Sequence, residues 1–193
     1  VVHSGTKYMG GHSDLCCGVA LTSRERNEKI LHLARHLGGS LNATTCYLLE
    51  RSLKTLALRV TRQTANAQTI AGFLARHPGV RRVNYPGLED APGHATARAQ
   101  MTGFGAMLSF ELEASQEETD TFLRRLTLIR PAVSLGGVET TICAPAVTSH
   151  AKMSAEERQR VGVTDVLLRL SVGIEDPEDL IHDLERALKQ SDG

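Results

Sequence analysis

From about Asn42 to His77 the apolar residues Leu48, Leu49, Leu53, Leu56 and Val60 recur at helical spacing, and Pro78-Gly79 then stops the pattern. A helical run of this length, with a bend allowed near Leu58, limits the fold more than any other feature. One face of it must be buried, so the segments before and after have to supply the cover.

Those segments alternate between strand-like and helix-like patterns. Upstream, Val1 and Val2 read as the inside of a buried strand, and Leu15 to Leu21 (LCCGVAL) as a second strand. Thr22 with Glu25 forms a capping box that opens a helix to about Leu37. Downstream, Val80 to Tyr85 is a short strand, and Pro86 to Thr102 a loop with a short polar helix. Gly105 to Leu112 alternates like a half-buried strand, Ser115 with Glu118 caps a helix to about Leu128, and Val166 to Val172 is a further strand. Asp176-Pro177 supplies the N-cap and first-turn proline of a last helix, with Leu180, Ile181, Leu184 and Leu188 on one face. The pattern predicts an α/β chain in two layers or two lobes. Val1 and Val2, with no polar lead-in, suggest the C-terminal part of a larger protein.

Charge and composition narrow the partners. Twenty-two basic residues balance 22 acidic ones, and with no tryptophan and 4% aromatics there is neither a field nor a stacking platform for nucleic acid. No apolar run approaches the roughly 18 to 20 residues that cross a bilayer, so no membrane partner is expected. Cys16, Cys17, Cys46 and Cys143 show no CxxC spacing, and they read as small core residues of a reducing compartment, with the cytoplasm as the expected location. His32 and His36 stand at i, i+4, but Leu33 replaces the glutamate of the zinc-protease motif, and no metal is expected.

The chemistry centres on Lys7, in VVHSGTKYMGGHSD, where an apolar strand gives way to a glycine-rich loop. A nucleotide phosphate loop would need glycine six residues before the lysine, glycine immediately before it, and Ser or Thr after it. Here those positions hold Val1, Thr6 and Tyr8. Two readings of the lysine remain: a solvated residue in a polar turn, or an amine nucleophile that condenses with a carbonyl, flanked by the hydroxyls of Ser4 and Thr6 as neutral donors to a phosphate. A carbonyl together with a phosphate points to pyridoxal phosphate. In the strand Val166 to Val172, Arg169 calls for an anion, and its planar fork matches a carboxylate; the competing reading is a structural ion pair with Glu175 or another acid.

HSGTKYMGGHSD (3–14) resembles the cofactor-lysine segment of the trans-sulfuration (Cys/Met metabolism) family of pyridoxal-phosphate enzymes. LKTLALR (53–59), SLGGVET (134–140) and LRLSVGIED (168–176) resemble further segments of it in the same order. That family includes cystathionine γ-synthase, γ-lyase and β-lyase, methionine γ-lyase and the sulfhydrylases. The resemblance implies an aspartate-aminotransferase-like fold (pyridoxal-phosphate fold type I), with residues 1–85 ending the large mixed-sheet domain through an interdomain helix and 86–193 forming the small C-terminal α/β domain. It implies pyridoxal 5'-phosphate held by Lys7, with Ser4 and Thr6 on the phosphate, and a substrate carboxylate held by Arg169 with help from Ser134. The implied substrate is a sulfur amino acid or an activated homoserine, and the working unit a homodimer or homotetramer.

Departures from the family pattern bear on the subtype. Val133 stands before SLGG where β-lyases carry an aromatic residue and many γ-synthases and γ-lyases a glutamate; methionine γ-lyases share the valine. This leans toward making or breaking a C–S bond at the γ-carbon. Asn42-Ala43 replaces an Asp-Pro helix start, and Ser149-His150 a Thr-His pair. The alternative function is a non-catalytic C-terminal half or assembly module, inactive without the residues that stack on the cofactor and pair with its ring nitrogen.

Overall fold

The run over 42–77 is two helices, α2 (Ala43–Leu53) and α3 (Leu56–Leu74). The break falls at Lys54-Thr55 rather than near Leu58: Lys54 N donates to Arg51 O at 3.3 Å and Thr55 N to Ser52 O at 3.2 Å, so each hydrogen bond tightens to three residues and the α-ladder stops. The structure, a computed structural model, describes residues 1–189, in two units, Val1–Leu58 and a second that starts at Arg59.

In the first unit, β1 (Val2–Ser4) pairs antiparallel with β2 (Gly18–Ala20), Val2 facing Ala20 and Ser4 facing Gly18. The second strand is shorter than the 15–21 stretch suggested. Cys17 N donates to the Thr6 side chain instead of to a ladder. Val1 and Val2 are 80% and 82% exposed, against the buried-strand reading, because a two-stranded ribbon offers them no covering face. Helix α1 (Arg24–Leu37) starts from Ser23, one residue after the expected cap, and Ser23 Oγ accepts from Arg26 N. It ends where Gly38 turns left-handed at φ 75°. In α2, Asn42 is the N-cap, its Oδ1 accepting from Thr45 N at 2.9 Å. All four cysteines are free, but Cys16 and Cys46 are exposed and only Cys17 and Cys143 are buried, so the core reading holds for two of the four.

The second unit is built on a five-stranded sheet of β3 (Val80–Asn84), β4 (Met107–Leu112), β5 (Arg130–Pro131), β6 (Thr141–Cys143) and β7 (Leu167–Ser171). The spatial order is β3-β4-β7-β6-β5, antiparallel throughout except for β5 beside β6. Strand β7 is therefore central. Its period of two buries Leu168 and Leu170 completely and turns Arg169 to the opposite face. Helix α4 (His94–Gln100) fills the predicted loop region; α5 (Gln116–Arg125) starts with the expected Ser115–Glu118 capping box, and α7 (Pro177–Leu188) from Asp176. Between them, α6 (Ala155–Arg160) starts from a second capping box, Ser154–Glu157. Phe122 of α5 meets Phe110 of β4 edge-on at 6.2 Å, and Ile70, Leu74, Leu180 and Leu184 are fully buried around this core. Among the described residues no helix is long and apolar enough to cross a membrane.

One carboxylate ties α7 to the start of the β5 edge. Asp183, with a side chain 3% exposed, accepts from Thr127 N at 3.0 Å, Thr127 Oγ1 at 2.9 Å, and Leu128 N and Ile129 N at 2.9 Å each, and pairs with Arg186. Burial pushes this carboxyl up, but the backbone N–H groups and the Thr127 hydroxyl outweigh it and hold the group below its ordinary 3.8. In Asp183→Asn an amide N–H₂ would face three N–H donors, so urea unfolding at pH 7 should show a loss of about 2–4 kcal/mol. The native carboxylate has the lower pKa folded than unfolded, so its contribution is complete above about pH 5 and fades as the pH falls through the folded value. The gap between wild type and variant should therefore be flat down to about pH 5 and shrink below about pH 4.

Candidate active site

Lys7 sits on a turn that short-range sterics define. Gly5–Met9 forms one wide turn in which Gly10 N reaches back five residues to Gly5 O at 2.8 Å, and Gly11 N closes onto Lys7 O at 2.7 Å. Lys7 breaks the helical backbone inside it, with φ −93° and ψ −125°. Its side chain is half-buried. Gly5 is buried against Cys17: a Cβ there would collide with Cys17 Sγ and approach Val19 Cγ2 to 3.0 Å.

The structure brings Ser4, Thr6 and Lys7 onto this one turn. Ser4 occupies the cap position but makes no side-chain capping bond. Thr6 Oγ1 accepts from Cys17 N at 3.0 Å, which fixes the hydroxyl, while its own proton faces Cys17 O at a long 3.4 Å. His12, in the loop that follows, takes a loop role: its Nδ1 lies 2.7 Å from Gly10 O and 3.2 Å from Ser52 Oγ. His32 and His36 are exposed on α1, rings 4.3 Å apart, with His36 Nδ1 on His32 O.

In the second unit the structure brings Ser134 and Arg169 together. Arg169 Nη2 donates to Val133 O at 2.8 Å and Ser134 O at 3.1 Å, while its Nε is buried and has no acceptor. The ion pair with Glu175 does not form. Glu175 is engaged instead by Thr140, whose N–H donates to Oε1 at 2.5 Å and whose hydroxyl donates to Oε2 at 2.8 Å. Among the described residues no carboxylate lies within ion-pair distance of Arg169. Ser149 Oγ lies 2.9 Å from His150 Nδ1, at the place of the family's Thr-His pair.

A supporting set was missed from the sequence. Gln63 Nε2 donates to Gly137 O at 2.6 Å, and Asn66 Nδ2 to Gly173 O at 3.1 Å and Glu175 O at 2.8 Å. Ser171 Oγ accepts from Gly136 N at 2.9 Å. The available signal was a polar stripe: Arg59, Gln63 and Asn66, all buried on α3, stand at i, i+4 and i+7 in an otherwise apolar helical face. Burial lowers the pKa of the Arg59 guanidinium.

With this geometry in view, the profile of the Cys/Met metabolism PLP-dependent enzyme family matches residues 1–189, and the chain belongs to that family. It is 48% identical over 191 residues to cystathionine beta-lyase of Bacillus subtilis and 46% identical over 190 residues to cystathionine gamma-lyase of the same organism. Those matches cover 98% of this chain and 49% and 50% of the relatives. Its fold matches cystathionine gamma synthase of Xanthomonas oryzae pv. oryzae, solved in complex with cystathionine, with a TM-score of 0.91 and 44% identity over 97% of this chain and 49% of that one. The chain spans about half the length of these relatives. Its mixed α/β fold matches fold type I pyridoxal-phosphate enzymes over that half.

The packing around Gly5 makes a direct prediction. Gly5→Ala forces Cys17 and Val19 away from the Lys7 turn, so thermal unfolding should show a loss of about 1–3 kcal/mol. Pairing it with Cys17→Gly, which removes the colliding sulfur, should recover part of that loss.

Proposed function

We propose that this chain belongs to a pyridoxal-phosphate enzyme that makes or breaks a C–S bond at the γ-carbon of a sulfur amino acid or an activated homoserine. The observation that carries this reading is Arg169, a half-buried guanidinium with one nitrogen unpaired and, among the described residues, no carboxylate at ion-pair distance, which fits a substrate carboxylate. The residues of the Lys7 turn fit the cofactor. Thr6 keeps a proton for a phosphate oxygen because its bond to Cys17 O is long, Ser4 spends no hydroxyl on capping, and the Lys7 amine follows directly after them in sequence. When bound, pyridoxal phosphate supplies an electron sink for carbanion charge. Lys7 Nζ would hold the cofactor through its carbonyl carbon and, once the substrate amine has displaced it, would carry protons to and from the substrate carbons. Arg169 and Ser134 fix the substrate's carboxylate end, which sets the orientation of the reacting bond.

The same reading places residues 1–85 at the end of a large cofactor domain and 86–193 in a small C-terminal domain, in a cytoplasmic homodimer or homotetramer. The choice of the γ-carbon rests on Val133, since overall similarity runs about equally to a β-lyase and a γ-lyase. Cystathionine separates the two: γ-cleavage releases cysteine, β-cleavage releases homocysteine. Cysteine as the released thiol is expected, and homocysteine would move the reaction to the β-carbon.

A second reading is favoured by the exposed surfaces of the first unit, where α1 buries none of its residues. On this reading the 193 residues alone fold for assembly and turn nothing over. Expressed by themselves, they should bind pyridoxal phosphate weakly and release no thiol; a yellow, active product would exclude this reading.

For the whole enzyme, Lys7→Ala should abolish the yellow absorbance that borohydride otherwise locks onto the chain, and lower turnover to near background. Undiminished turnover would remove Lys7 from the chemistry.

A further inference from the structure

We propose that Ser171 is a positioning residue for carboxylate recognition, holding the loop that carries Ser134 in place over Arg169; this rests on the reading of Arg169 given above. Ser171 follows Arg169 by two residues on β7, so both side chains leave the same face of the sheet. The loop is tied to that face at two points. Arg169 Nη2 holds the carbonyls of Val133 and Ser134 at 2.8 and 3.1 Å, and Ser171 Oγ holds the N–H of Gly136 at 2.9 Å. Ser134 belongs to the first tie and stands two residues before the second.

The geometry leaves Ser171 no substitute. Its side chain is fully buried, and Gly136 takes a left-handed φ of 79° that a side chain would resist, so the loop turns sharply at the tied residue. Beyond the turn, Gln63 anchors Gly137 O from α3 at 2.6 Å. On the strand side, Asn66 holds the carbonyls of Gly173 and Glu175, and Gly173 packs so closely that a Cβ there would collide with Val138 O. Both flanks of Ser171 are thus fixed, and the segment 133–136 is the part free to respond.

Removing the Ser171 hydroxyl leaves the Gly136 N–H buried without an acceptor, a cost comparable to the loss of a buried hydrogen bond. Lifting the loop relieves that cost by exposing the N–H to water. The same movement draws the carbonyls of Val133 and Ser134 away from Nη2 and releases the guanidinium from its fixed orientation. Affinity for a carboxylate then falls although Arg169 is intact.

The test uses the whole holoenzyme and L-norleucine, which keeps the α-carboxylate but has no sulfur to eliminate. Pentylamine, the same molecule without its carboxylate, is the control. Dissociation constants are measured by titration calorimetry for wild type, Ser171→Ala, Arg169→Lys and the double variant. Ser171→Ala should raise the norleucine constant about tenfold, leave the pentylamine constant within about twofold, and add nothing beyond that range in the Arg169→Lys background. Ser171→Cys keeps the volume with a weaker acceptor and should fall between wild type and Ser171→Ala, which keeps the test readable if the alanine variant folds poorly. An unchanged norleucine constant, or an equal loss in both Arg169 backgrounds, overturns the proposal while leaving the function reading intact. If wild type and Arg169→Lys bind norleucine equally well, the role of Arg169 itself fails, and this proposal fails with it.

Discussion

A guanidinium on the central strand of a sheet is the constraint around which the second unit is arranged. A charge that loses water needs acceptors, and among the described residues Arg169 receives two backbone carbonyls, both offered by the loop 133–134. Strand β7 cannot slide to improve this. It is bonded on both sides, with Arg169 facing Ser109 of β4 and Cys143 of β6, and a one-residue slip would turn Leu168 and Leu170 out of the core. The acid that could have neutralised the charge, Glu175, is occupied by the N–H and hydroxyl of Thr140. The carboxylate of Glu175 is thereby spent on Thr140 and not on the guanidinium.

That selectivity depends on neutral donors buried in α3. Gln63 and Asn66 are almost completely buried, and each spends its amide on the backbone of a glycine-containing segment rather than on a charged group. Amides suit the task because they hold carbonyls without adding a charge near Arg169. The first unit solves a different problem. Lys7 is placed by the narrow space between Gly5 and Cys17, by the turn bonds of Gly10 and Gly11, and by the bond from Thr6 N to Cys17 O.

The legibility of the sequence followed the length of the interactions. Elements with local signals were readable: Ser115 and Glu118 announce α5, Asp176-Pro177 announces α7, and the apolar alternation of 167–171 announces β7. The two-residue β5 and three-residue β6 have no period long enough to detect, and they exist because β7 and the Asp183 carboxylate hold the chain beside them. Val1 and Val2 misled because apolar character sets what a residue prefers, whereas burial needs a neighbour to cover it. Ser154 with Glu157 was a legible capping box that went unread, since the surrounding residues are too polar to suggest a helix face. Among the site residues, Lys7 with Ser4 and Thr6 could be picked out as one cluster because they are contiguous. Ser171, Gln63 and Asn66 could not, because their partners lie between 35 and 109 residues away.

The chemistry assigned to these residues also accounts for the breadth of the similarity. On the proposed reading, Lys7, Thr6 and Ser4 address the cofactor, and Arg169 and Ser134 the carboxylate, groups that are the same for every amino acid such an enzyme could accept. Machinery of that kind is indifferent to which carbon loses sulfur, and a chain composed largely of it should resemble β-lyases and γ-lyases equally, as this one does. Regiospecificity has to enter through side chains that meet the variable part of the substrate. Val133 qualifies on chemical grounds: its carbonyl is held by Arg169, while its side chain is exposed and apolar. A substrate anchored by its carboxylate at Arg169 would extend past a residue that offers neither the charge of a glutamate nor the flat face of an aromatic ring, which suits a thioether chain reaching to its γ-carbon.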